Sequence, residues 1–529
     1  MFETANAAVW LWLFNENTMT RDRDNCRRRR LGWLLLLGLL QAPAALGHAQ
    51  QPVTSRLSKL QLEQRQLASR FTESLLKLAT FCDEKQFVEP AARIRAIAKP
   101  LDSRRLVAHQ LPATVREEIA TGLPPDQRHW QVQLRHLQSK YARDIYMLSR
   151  SVLRNGFPSY ALDLVREVAF HDPDHKHARD LLGYVRFRNA WVTPFEKSRL
   201  SASPKRVWHE QFGWIPEVYL KRYEQGQRRY RNRWLSAVQE AEIRSDFRNA
   251  WQVRTGHFLV KTNHSLEHGV KVASTLEDFR QFFFQTFVAY FNTPQQIQQI
   301  FAGGKFRNRR PVKPHQVHYY RTREEYNQRL VAVIPQIAIT NGLYYTPDRT
   351  SYFFFNSETP DQFDTLYHEA THQFLYENLT AERPIADHAN FWIVEGIACY
   401  MESFRRDVQG FSVGDPRHIR FRAARHRLLN DKYYVPLEEF SARGLKVFQS
   451  DLTNISKNYS QASGLAHFFM HFENGRYRDA LIAHLRAIYR PRRSSRDEVP
   501  GLDKLTGTRF DDLDRQYIGY MKRLQNEYD

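Results

Sequence analysis

The stretch His368-Glu369-Ala370-Thr371-His372, with Trp392-Ile393-Val394-Glu395-Gly396-Ile397-Ala398 behind it, decides how the rest of the chain is read. Two histidines four apart on a helix project from one face, so their imidazoles can grip a single metal ion, and the adjacent glutamate then sits beside a water on that metal. Upstream, Thr359-Pro360-Asp361-Gln362 carries the signals of a helix start: Thr359 as N-cap, Pro360 at the first helical position, Gln362 completing a capping box. Phe363, Leu366, Tyr367, Ala370 and Phe374 recur at helical spacing and supply an apolar stripe. The pentapeptide is therefore expected inside a helix.

Alone, the two histidines read almost as well as ordinary helix residues, with Glu369 a solvated charge. A catalytic zinc site takes three protein ligands and leaves one position open, and two His with one Glu is a recurring set. Glu395 follows His372 by 23 residues. That is room to finish the helix, turn through Glu382-Arg383-Pro384 and return on an antiparallel helix.

These two motifs resemble those of the gluzincins, the thermolysin-like zinc metallopeptidases of the peptidase MA-like superfamily, whose third ligand lies in a Trp-x-x-Glu-Gly-x-Ala helix. The resemblance implies His368, His372 and Glu395 as metal ligands, Zn2+ as cofactor and Glu369 as general base. The metzincin pattern fails, because its third histidine would fall at Asn378. Aminopeptidase-like gluzincins add a tyrosine that supports the oxyanion, and Tyr459 in Asn458-Tyr459-Ser460-Gln461-Ala462 is similar in its distance from Glu395. In a chain with 25 tyrosines, a packing role for Tyr459 is the competing reading. Where thermolysin has an aspartate one turn after its glutamate ligand, this chain has Cys399. Glu402, on the same helix face as Glu395, reads first as an exposed helix charge and second as the group that orients a ligand imidazole.

The implied chemistry is hydrolysis of a peptide bond. Zinc would lower the pKa of its water to about 7, with Glu369 taking the proton and returning it to the leaving amine. Ile339 to Tyr345, then Thr346-Pro347-Asp348-Arg349, then Thr350 to Phe355, predict a β-hairpin before the active-site helix, and an edge strand there would hold an extended substrate.

At 529 residues, 42% hydrophobic and 13% aromatic, the chain is expected to be globular with two or three domains. Residues 1–49 look like a cleavable signal peptide: Arg27-Arg28-Arg29-Arg30, the apolar run Leu31 to Leu40, then Gly47-His48-Ala49 before a cleavage at Gln50. The apolar run is short for a membrane span, so a secreted or periplasmic location is expected, with an uncleaved anchor as runner-up. Met1 and Met19 both remain open as the start. Cys82 and Cys399 would then be the remaining cysteines, expected as buried free thiols.

Net charge is +21, and about +19 once the signal's six arginines and four acidic residues are set aside. Basic clusters fall at Arg228 to Arg233, Lys305 to Lys313 and Arg490 to Arg496. No nucleic-acid fold motif accompanies them. Dispersed solubilising charge is the first reading, an anionic envelope polymer the alternative partner, and nucleic acid is disfavoured.

The expected fold class is α+β: a mostly helical region 50–200, a connecting region 201–250, and a zincin-type catalytic domain 251–529. In the first, Tyr160 to Arg166, His171-Asp172-Pro173-Asp174-His175 and Ala178 to Tyr184 look like one tetratricopeptide-type boundary, with a plain helical hairpin as the equal alternative. In the second, aromatic and basic residues mix without a clean period. In the third, strand at His257 to Thr262, helix at Leu266 to Phe291, strand at Val317 to Tyr320 and the hairpin precede the ligand helices. This pairing resembles a group of secreted bacterial proteins with a helical-repeat region before such a module. The expected function is an exported zinc peptidase acting on peptide or protein. The alternatives are a catalytically silent zincin-fold scaffold that binds a partner through its helices, and a basic envelope-binding protein with a structural metal.

Overall fold

The structure is a computed structural model that describes residues 53–99, 105–303, 313–378, 385–407, 410–490 and 499–528. The expected signal segment, the Glu382-Arg383-Pro384 connection and most of the basic clusters Lys305 to Lys313 and Arg490 to Arg496 lie outside the described residues. The fold is α+β, as the sequence predicts. Among the described residues no helix is long and apolar enough to cross a membrane.

The described residues begin with four helices: α1 (Val53–Glu84), α2 (Val88–Ile97), α3 (Pro125–Arg154) and α4 (Pro158–His171). On α3, Trp130, Leu134, Tyr141, Ile145, Leu148 and Val152 form a buried stripe at steps of three, four and seven. It shares one core with Leu75, Ala79 and Cys82 of α1 and with Ala161, Leu164 and Val168 of α4. The region is not helical throughout. Strand β1 (Leu106–His109) pairs antiparallel with β14 (Gly410–Val413), a contact across about 300 residues that no local period registers. The segment read as the next repeat, Ala178 to Tyr184, holds only the end of a short helix, Lys176–Leu181, before the chain turns to strand.

Residues 185–244 are three successive hairpin-helix units rather than an aperiodic connection. The hairpins are β2–β3 (Val185–Phe187, Ala190–Val192), β4–β5 (Arg206–His209, Gly213–Pro216) and β6–β7 (Gln227–Tyr230, Arg233–Ser236). Short helices follow them at Pro194–Leu200, Leu220–Glu224 and Ala237–Arg244. The first and third are near copies: Arg186-Phe187-Arg188-Asn189-Ala190-Trp191 against Arg229-Tyr230-Arg231-Asn232-Arg233-Trp234. Each turns on an Arg-Asn pair whose arginine has φ of +54° or +50°, the left-handed backbone that a two-residue hairpin loop demands. Each following helix opens with a capping box, Thr193 with Glu196 and Ser236 with Gln239.

The central sheet has the order β11-β12-β10-β9-β8, built from β8 (Trp251–Arg254), β9 (Phe258–Thr262), β10 (His315–Tyr320), β11 (Gly342–Tyr345) and β12 (Thr350–Phe354). β9, β10 and β12 run parallel, and β8 and β11 close the two edges antiparallel. The predicted hairpin is present, shortened at its start because Ile337–Ile339 forms a 3-10 turn. The helix expected from Leu266 to Phe291 breaks at Phe287, leaving α5 (Leu266–Thr286). Its Phe279 and Phe283 pack on Tyr367 and Phe374 of α6 (Asp364–Asn378), with ring centroids 4.8 and 5.4 Å apart. The start predicted for α6 is corrected. Thr359 is not its N-cap, because the Thr359 carbonyl accepts from the Gln362 N–H in a tight turn with Pro360 second. Proline's fixed φ suits that turn position as well as a helix start, and α6 begins only at Asp364.

The remaining helices used below are α7 (Phe391–Met401), α8 (Ile419–Leu429), α9 (Leu445–Ser450), α10 (Ile455–His471), α11 (Arg478–Tyr489) and α12 (Phe510–Tyr528). A polar seam joins the N-terminal helices to this half. Asp163 of α4 pairs with both Arg166 and Arg478, and Ser159 donates to Asp479. Arg166 also bonds Gln285 and Thr286 of α5. Both guanidinium groups are buried, and Asp163 is the carboxylate that pairs with both. Asp163→Asn is expected to lower stability by about 3–5 kcal/mol, the range for an uncompensated buried charge. Urea unfolding checks this.

Candidate metal centre

Two neighbouring helices build the site. Every residue of α6 from Leu366 to Leu375 is buried, as are all eleven of α7. On α6 the apolar side meets α5, which leaves His368, Glu369 and His372 facing inward and almost fully buried. On α7, Glu395 is the one charge in Phe-Trp-Ile-Val-Glu-Gly-Ile-Ala-Cys-Tyr-Met, 1% exposed. A carboxylate so placed needs a cation or several donors. The left-handed backbone of Asn390 (φ 63°) turns the chain into α7, a conformation asparagine tolerates better than most.

The Nε2 atoms of His368 and His372 lie 3.2 Å apart, and Glu395 Oε2 lies 3.5 and 3.8 Å from them. Ligand bonds of about 2.0–2.1 Å in a tetrahedron place donors roughly 3.3 Å from one another. The three atoms are therefore close enough to hold one metal ion. Glu395 Oε1 has no hydrogen-bond partner among the described residues, which fits a carboxylate whose counter-charge is a bound cation. Imidazole nitrogen with one carboxylate suits zinc and related first-row ions better than calcium or magnesium.

Glu402, read first as an exposed helix charge, is instead buried and takes the other role. His368 Nδ1 donates to its Oε1 at 2.8 Å, which fixes the tautomer and turns the bare Nε2 toward the centre. Arg420 of α8 grips the same carboxylate, Nε to Oε2 at 2.7 Å and Nη2 to Oε1 at 2.9 Å. Burial alone would raise the Glu402 pKa, but Arg420 and His368 outweigh it and hold it at about 2. His368, Cys399 and Glu402 form a second close trio of possible ligand atoms. Arg420 already supplies the positive charge there, so that trio reads as support for the first. Cys82 and Cys399 are free and buried, as expected.

Glu369 is held from the sheet. The Tyr344 N–H, on edge strand β11, donates to its Oε2 at 2.7 Å. Burial lifts its pKa to about 7 against the opposing pull of His368 and that N–H. Burial also depresses His372, to about 4. Tyr344 further reaches Glu377, which bonds His315 at 2.8 Å and Gln373.

Tyr459 lies in the second turn of α10, 4% exposed, its ring edge-on to Phe448. α10 crosses α7 closely: a Cβ on Gly396 would come 2.6 Å from the Ala462 carbonyl oxygen. Glycine is thus required beside the ligand Glu395. A cavity of about 30 Å³ lies against His372 and Glu395, lined by Tyr344, Tyr376, Ile385, Phe391, Leu445 and Tyr489. That is room for water but not for a peptide side chain. A larger cleft of about 1180 Å³, lined by Trp208, Lys271, Asp278 and Arg405 among others, opens at the N-terminal end of α6 and touches none of the three ligand residues.

Of the residues singled out in the sequence, the structure brings His368, His372 and Glu395 together, with Glu369 buried beside them. Sequence reasoning missed Arg420, which no spacing links to Glu402, and the Tyr344 backbone, for which the predicted edge hairpin was the available signal. A family model described as Protein of unknown function (DUF1570) matches residues 362–492, a stretch that includes every side chain of this site from His368 to Tyr459. No curated protein matches the chain.

Two outcomes are expected. Glu402→Gln weakens the affinity of the three-ligand site for a divalent metal ion by about 10–100-fold, read by competition with a chromogenic chelator. Gly396→Ala lowers stability by about 1–3 kcal/mol through forced separation of α7 and α10, read as a shifted denaturation midpoint.

Proposed function

We propose that this protein is an exported zinc-dependent peptidase, with His368, His372 and Glu395 holding Zn2+ and Glu369 as general base. The observation that carries the reading is the approach of two imidazole nitrogens and a carboxylate oxygen to within 3.2–3.8 Å, beside a second, separately anchored carboxylate, that of Glu369. Zinc bound there would supply an acidified water and a polarised carbonyl. Glu369 takes the proton of the attacking water and delivers it to the leaving amine, and a base near pH 7 suits that double duty. A purely structural site has no use for a carboxylate held at that position. β11 is an edge strand, so its outer backbone groups can pair with an extended peptide whose scissile bond then lies close to Glu369. The Tyr459 hydroxyl is proposed as the donor to the substrate oxyanion.

Peptide or protein is the proposed substrate, and the surplus positive charge supports an anionic envelope polymer as a second partner. The basic and apolar segment at Arg27 to Leu40 supports export. One observation favours a catalytically silent scaffold instead: the cavity of about 30 Å³ admits a substrate side chain only if its lining moves.

Comparison of the zinc-loaded wild type with Glu369→Gln on a mixed peptide library, read by mass spectrometry, separates these. The peptidase reading expects cleavage by the wild type, at least a 10²-fold loss in the variant and equal zinc content in both. Chelation should abolish cleavage and zinc should restore it. Equal inactivity of both zinc-loaded forms supports the scaffold.

A further inference from the structure

Beside Glu395 lies a cluster of buried polar atoms that the protein itself does not satisfy. Among the described residues, the Tyr459 hydroxyl, both carboxamide atoms of Gln449 and Asn458 Nδ2 have no well-formed hydrogen bond. Gln449 is fully buried at 0% exposure. A carboxamide offers two donors and an acceptor with two lone pairs, and leaving them without well-formed bonds in a protein interior works against the fold. Such groups call for an explanation, and a functional role is one.

Position supplies that role. Gln449 sits on α9 four residues after Leu445, so the two share one face, and Leu445 lines the cavity at His372 and Glu395. Its carboxamide lies beside the Tyr459 hydroxyl, which is itself within electrostatic reach of Glu395. Asn458 is committed elsewhere through its oxygen, which accepts from Tyr433 at 2.6 Å. The Phe448 ring, packed edge-on against Tyr459, limits where the phenol can swing.

On the peptidase reading, we propose that Gln449 is a positioning residue that acts through Tyr459. Its side-chain N–H donates to the phenol oxygen, so the phenol's own proton points toward the substrate oxygen that gains negative charge. Hydrogen bonds of this kind are often loose without substrate and tighten around the transition state. The role also accounts for a buried amide that packing alone would have replaced with leucine or methionine.

The test uses the zinc-loaded full chain with Q449L, Y459F and the double variant. Q449L is expected to keep its zinc and to melt no lower than wild type, since it removes an unsatisfied amide. Its kcat on cleaved peptides should fall about 10-fold with KM unchanged, and the double variant should be no slower than Y459F. A peptide phosphonamidate, whose tetrahedral anion resembles the transition state, should bind Q449L weaker by the same factor, while a product peptide binds equally. Wild-type kinetics and phosphonamidate binding in Q449L, or losses that multiply with those of Y459F, overturn the proposal and leave the peptidase reading standing. If zinc-loaded wild type neither cleaves peptides nor binds the phosphonamidate, both fall together.

Discussion

A single carboxylate in an apolar helix constrains the whole C-terminal half. Glu395 is carried on a helix with no exposed residue, and two imidazoles from α6 face it at 3.5 and 3.8 Å. That approach requires α6 and α7 to pack side by side, which the phenylalanines of α5 arrange from one side and α10 from the other. The bare contact of Gly396 with the Ala462 main chain fixes how near α10 comes. The hydrophobic core and the polar centre are thus one construction: each apolar contact that seats a helix also sets a donor's position.

Around that centre, His368, Glu369 and Glu402 are each held by an element other than their own. Glu402 on α7's C-terminal edge holds an imidazole of α6 and is held in turn by α8. Glu369 on α6 is held by the backbone of the sheet edge. This cross-bracing makes the centre rigid, because a shift of any one helix breaks a bond to another. It also places Glu369 directly between the strand that would carry a peptide and the ligands that would carry the metal.

What was legible in the sequence was what is local. The step of four between His368 and His372 and the lone acid in an apolar run are visible in any window of a dozen residues. The chain of Arg420, Glu402 and His368 joins three elements, and nothing in their spacing encodes it. Glu402 could be assigned to the right helix face but not to the interior, since burial depends on what packs opposite. Thr359-Pro360-Asp361-Gln362 misled because proline serves a turn and a helix start with the same dihedral angle. The pairing of Leu106–His109 with Gly410–Val413 has no local trace at all. The hairpin units of 185–244 escaped for a different reason: their period lies near twenty residues, longer than the windows that reveal helices and strands. The tryptophans 191, 214 and 234 were its trace.

Those units carry a consequence for how the two halves of the chain are spaced. Because the first and third are built to one pattern, down to the left-handed arginine and the capped helix, the stretch has the character of duplicated modules. Its length is accordingly quantised. Gaining or losing an entire module leaves every remaining turn and cap intact, whereas a single inserted residue within a hairpin throws its side chains onto the wrong face. Length changes in this stretch are therefore expected to be accommodated best as whole modules.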